Sequence, residues 1–112
     1  MRTVTIYRGD TPTLQFTIGR ANGAALDLTD STVHFAARLP DSTTPEIDAA
    51  ADLADETHGV ASVTLTALQT AVAGSYLAEV EVRWAADEGE GTPERVYTAT
   101  QFTLQILDDV RK

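Results

Sequence analysis

Apolar and polar residues alternate along most of this chain, and the longest such run sets the frame for the rest. After Gly74, the residues Tyr76, Ala78, Val80, Val82 and Trp84 share one parity, while Glu79, Glu81 and Arg83 share the other. Successive strand side chains point to opposite faces, so the run predicts a strand from Ser75 to about Ala86 with one apolar and one charged face. The same alternation predicts strands at Thr3–Tyr7, with Val4 and Ile6 inward, and at Thr13–Ile18, with Leu14, Phe16 and Ile18 inward. Thr32–Leu39 turns Val33, Phe35, Ala37 and Leu39 in and His34 and Arg38 out. Val60–Thr66 turns Val63 and Leu65 in, and Glu94–Leu107 turns Phe102, Leu104 and Ile106 in.

Between these strands lie residues that break regular structure. Arg8-Gly9-Asp10-Thr11-Pro12, Asn22-Gly23, Pro40–Pro45, Asp55–Gly59 and Asp87–Pro93 are turns or loops, because glycine and proline punctuate strands and Asn-Gly favours a tight turn. Leu26–Asp30 reads as a short extended crossing. Glu46–Asp55 is ambiguous: Ile47, Ala50, Ala51 and Ala54 sit at helical spacing, and alanine is the best helix former. The surrounding strands favour a short edge strand over Ile47–Ala51 instead. Thr66 is placed to cap one helical turn, Ala67–Ala73, that Gly74 ends and that would fold Leu68 and Val72 over the end of the core. About seven short strands and no room for crossover helices predict an antiparallel β-sandwich. A single domain spans residues 3–107, with a charged tail at 108–112.

Composition narrows the function classes. The chain has 112 residues, 43% of them hydrophobic, which suits one domain with a real core. It has no cysteine, which excludes disulfides and thiolate chemistry. The formal net charge is −9, which argues against nucleic acid and anionic membranes as partners. The N-terminus lacks the apolar core of a signal peptide, and no stretch approaches the roughly 20 apolar residues of a membrane span.

Candidate chemistry is thin. His34 lies on an outward face and His58 in a turn, and neither is spaced toward a serine nucleophile. His58 with Asp55 and Glu56 is short of a zinc set, which needs a further ligand of its kind. Asp87, Glu88 and Glu90 crowd one loop and would be the place for calcium, but they lack EF-hand spacing and equally suit a solvated hairpin loop. Glu79 and Glu81 stand about 7 Å apart on one face, as two residues along a strand do. Arg83 continues that row and offsets their repulsion, as on an ordinary solvated sheet. Arg8-Gly9-Asp10 spells a cell-adhesion tripeptide where a strand must break anyway. No cofactor and no catalytic or metal residue is expected, and the chain does not read as an enzyme. Trp84 has inward parity and closes the core, whereas Tyr7 and Tyr97 have outward parity and are the candidate exposed contacts, with Leu77 beside them.

The run Val63-Thr64-Leu65, Thr66–Ala73 and Gly74-Ser75-Tyr76 resembles the end of an immunoglobulin-like domain, in which a tyrosine at a strand corner bonds back to the backbone. With Gly9-Asp10-Thr11, Leu26-Asp27-Leu28-Thr29, Val33-x-Phe35 and His58-Gly59-Val60, the chain resembles the immunoglobulin-like N-terminal domain of upper baseplate proteins of tailed phages. The resemblance runs from about Thr3 to Ile106. Asp30 departs from it, standing where that family often has glycine. A second departure is that this chain ends after one domain, where members of the family continue into further segments.

The resemblance implies an immunoglobulin-like sandwich with a structural tyrosine corner at Gly74 and Tyr76. It implies a non-enzymatic adaptor of a phage or prophage tail, made in the bacterial cytoplasm and carried in the virion. Its partners would be other tail proteins or further copies of itself. They would be held through Tyr7, Leu77 and Tyr97 or through sheet edges. The competing expectation is a carbohydrate- or cell-surface-binding module that uses its aromatic residues.

Overall fold

The computed structural model describes residues 2–20, 22–86, 89, 91 and 93–108. The acidic loop residues Asp87, Glu88 and Glu90, and the tail beyond Asp108, lie outside the described residues. Seven strands form: β1 (Thr3–Tyr7), β2 (Thr13–Thr17), β3 (Ser31–Arg38), β4 (Ile47–Asp55), β5 (Val60–Thr64), β6 (Gly74–Trp84) and β7 (Arg95–Leu107). They pair in the order β1-β7-β6-β3-β4-β5-β2, an all-β arrangement curled back on itself and compatible with a β-sandwich.

The alternation explains the layers. Val33, Phe35 and Ala37 of β3, Tyr76, Ala78, Val80 and Val82 of β6, and Phe102, Leu104 and Ile106 of β7 all lie buried on one side of one layer. Ile18, Ala61, Val63 and Leu65 are buried against them from the other layer. Phe16 on β2 joins the two. Its ring centroid lies 6.1 Å from that of Phe35 and 6.0 Å from that of Phe102, at the separation that aromatic pairs favour.

Three expectations need correction. The pairing is not wholly antiparallel, because β1 runs parallel to β7, Thr3 facing Thr103 through to Tyr7 facing Leu107. Alternation fixes faces, not partners, so a parallel contact between the two ends of the chain leaves no local mark. The alanine-rich segment is a nine-residue strand and not a lone edge. Its first half pairs with β3 (Ala37 with Ile47 to Val33 with Ala51), and its second half pairs with β5 (Asp52 with Ser62, Asp55 with Val60). β4 therefore passes from one layer to the other, and that tertiary pairing outweighs the helical preference of alanine.

The third correction concerns the segment before Gly74. It makes a single turn that bonds Thr70 N–H to the Thr66 carbonyl (3.2 Å). Thr66 and Gln69 cap each other: Gln69 N–H donates to Thr66 Oγ1 (3.1 Å), and Thr66 N–H donates to Gln69 Oε1 (2.9 Å). The residue this turn buries is Thr70, whose hydroxyl donates to the Asp10 carbonyl (2.7 Å). Leu68 and Val72 point the other way, 86% and 64% exposed. That bond ties this turn to the one after β1 and sets which of its residues faces inward.

The molecule measures 54 × 27 × 24 Å with a radius of gyration of 15.3 Å. A compact chain of this length has a radius near 13 Å, so the shape is drawn out. The long β6–β7 hairpin accounts for that, since a strand of β7's length spans about 44 Å.

Candidate interaction surface

Tyr7 ends β1 and is 49% exposed. Gly9 N–H donates to the Thr70 carbonyl (3.1 Å), which sets the turn after β1 beside the turn before β6. The strand end that carries Tyr7 therefore adjoins the segment that carries Leu68 and Val72. These three are among the five large apolar residues that stand exposed among the described ones. Leu68 lies in the turn and Val72 just after it. The sequence reading assigned both to the core, and the signal against that was Thr70 between them.

The other two, Val96 and Tyr97, sit on the far part of the hairpin. Here a bulge overturns the parity assigned to Tyr97. Val80 pairs with Thr100, but the next residue, Glu81, pairs with Thr98, so Ala99 is an extra residue on β7. Beyond it Tyr97 lies opposite the buried Val82, and so on the inner side of the sheet. Its hydroxyl donates to the Gly19 carbonyl (3.0 Å), while 37% of the residue remains exposed. Val96, opposite Arg83, takes the outward place. Leu77 is half-buried on the outer face, between Arg38 across one neighbour and Thr103 across the other.

Tyr76 is buried, and its hydroxyl donates to the Val72 carbonyl (2.7 Å). Burial pushes its phenol pKa up, with the Glu46 charge as a second cause. Trp84 is half-buried at the sheet end. Its ring lies under the Arg95 guanidinium (4.6 Å), and its Nε1 donates to the Thr29 carbonyl (3.3 Å).

The polar candidates stay apart. His34 faces Glu81 across the exposed outer side of the sheet. His58 Nδ1 lies 3.0 Å from Asp55 in a solvated turn. That hydrogen bond raises the His58 pKa and lowers that of Asp55. Arg83 pairs with Glu81 (2.9 Å) and Glu94 (3.3 Å), which makes a charge row of the outer face. Arg8 of the adhesion-like tripeptide pairs with Asp108 (2.7 Å). Among the described residues no three His, Asp or Glu side chains come close enough to hold a metal ion.

The described residues form an elongated all-β domain whose outer face carries a row of charge. Comparison of the sequence with family models makes this particular: the BppU N-terminal domain model matches residues 2–112, and the chain belongs to that family of phage upper baseplate domains. It is thus a structural component of a phage baseplate, a setting that entails contact with other virion proteins. No curated protein matches the chain.

Proposed function

We propose that the domain is a non-enzymatic, immunoglobulin-like adaptor that docks onto neighbouring tail proteins through its two apolar ends. Tyr7, Leu68 and Val72 form one contact, and the exposed part of Tyr97 forms the other, with Val96 on the opposite face of the same hairpin. Leu77 extends contact onto the outer face. The observation that carries this reading is the exposure of Leu68 and Val72 on the segment that adjoins the end of β1, where Tyr7 is exposed too. Exposed apolar groups gathered in one place mark protein-binding surfaces, whereas scattered ones do not. Arg95 lies over one face of the Trp84 ring, which leaves Tyr7 and Tyr97 as the aromatic residues for a carbohydrate reading.

Phage carrying Leu68→Asp with Val72→Asp tests the proposal. Both side chains are solvated in the free domain, so the variant folds with an unchanged melting temperature. It should fail to enter assembled particles, as read by immunoblot of purified virions. Normal incorporation of the double variant would overturn the proposal.

A further inference from the structure

The sandwich is open along one side, between the two outermost strands. β1 and β2 end the pairing order, each bonded to one neighbour only. Backbone geometry shows what faces the opening. Ile18 N–H donates to the Gly59 carbonyl (2.7 Å), and Leu65 N–H donates to the Pro12 carbonyl (2.9 Å). Even-numbered residues of β2 therefore bond toward β5. Antiparallel ladders alternate, so the N–H and C=O groups of Thr13, Gln15 and Thr17 point to the open side.

This edge lacks the usual protection. Native edge strands are blunted by charge, proline or bulges. In a chain with 22% charged residues, Thr13–Thr17 carries none, while β4, whose first half pairs with β3 and whose second half pairs with β5, carries Asp48, Asp52 and Asp55. Behind the edge lies a cleft of about 190 Å³ floored by Val4, Leu14, Phe16 and Phe102. Leu14 and Phe16 are only half-buried there, although their parity is that of core residues. A second cleft of about 130 Å³ continues along Thr17 and Ile18. Arg2 is the one charged residue lining either cleft, and among the described residues its guanidinium is bonded to no carboxylate.

We propose that the β2 edge accepts an extended segment of another protein as an added strand. The segment places apolar side chains at alternate positions over Leu14 and Phe16, and a carboxylate against Arg2. Unpaired N–H and C=O groups at two-residue spacing are matched by another extended backbone, and the cleft takes alternate side chains. A second copy of this chain is disfavoured by its own net charge of −9. The edge includes none of Tyr7, Leu68 and Val72, so the two tests stay distinguishable, although Gly19 at the end of the second cleft also accepts the Tyr97 bond.

The test uses the whole chain and a labelled synthetic heptapeptide of alternating threonine and valine with a free C-terminal carboxylate. Fluorescence polarisation should show saturable binding, and backbone amide shifts should centre on Thr13–Thr17. Gln15→Pro removes an N–H that bonds nothing within the sheet, and should weaken binding about tenfold or more. Arg2→Met should weaken the free acid by about threefold and leave the C-terminal amide unaffected. Methylation of alternate peptide nitrogens should abolish binding to the unaltered protein, a result independent of whether Gln15→Pro folds. Equal binding of the methylated peptide, absence of binding, or shifts confined to residues away from β2 would each overturn the proposal. So would a dimer in light scattering that Gln15→Pro dissolves, since the occupant would then be a second copy.

Discussion

Asp30 holds a backbone φ of 63°, the single positive value among the described residues other than glycine. That region is open to glycine, while aspartate is tolerated at a cost. The departure noticed in the sequence is therefore a site of backbone strain, and it falls where Ser31 turns into β3 and bonds back to the Leu28 carbonyl (2.6 Å). Asp30→Gly should stabilise the domain by about 0.5–1 kcal/mol, read from denaturant midpoints. Gly59 shows the opposite case. Its φ is 74°, and a Cβ there would meet the Ile18 carbonyl oxygen at 2.4 Å. Backbone cannot give way as a side-chain tip can, so Gly59→Ala should cost about 2 kcal/mol or more. The His58–Asp55 pair adds a pH signature. The folded His58 pKa is raised above 6.5, so its contribution is complete below that pH and is lost as pH rises through the folded value. The folded Asp55 pKa is lowered below 3.8, so its contribution is present above that pH and lost as pH falls. Proton NMR should place the His58 midpoint above 6.5, and Asp55→Asn should return it toward that value.

At the scale of elements, the strands that alternate cleanly were legible because one face must be buried. Val33, Phe35 and Ala37, and likewise Tyr76 to Val82, could not shift register by one residue without exposing the core. What escaped the sequence was set by partners distant in the chain. Thr98-Ala99-Thr100 carries no mark of a bulge, yet the extra residue turns Tyr97 from the outer to the inner side. β4 reads as helix or edge until both β3 and β5 are in place. The contact end at Leu68 and Val72 was hidden because two apolar residues one turn apart suggest a buried face, and only the bond from Thr70 to Asp10 reverses the turn. We propose that Gly74 and Tyr76 form the structural corner that fixes this turn to β6, through the bond from the tyrosine hydroxyl to Val72. Tyr76→Phe should then cost about 1 kcal/mol. It should also speed amide exchange in residues 67–73 more than in β3, whereas an unchanged melting curve would leave Tyr76 a packing residue alone.

At the scale of the molecule, we propose that the drawn-out sheet of this phage baseplate domain acts as a spacer with apolar contacts at its ends. The charge row of Glu79, Glu81 and Arg83 keeps the outer face solvated, while Tyr7, Leu68 and Val72 stand exposed outside it. The docking claim is tested most directly by hydroxyl-radical footprinting of the free domain against assembled phage particles. Tyr7, Leu68 and Val72 should lose most of their reactivity on assembly while His34, on the charged face, keeps its own. Equal reactivity of Tyr7, Leu68 and Val72 in the two states would contradict it.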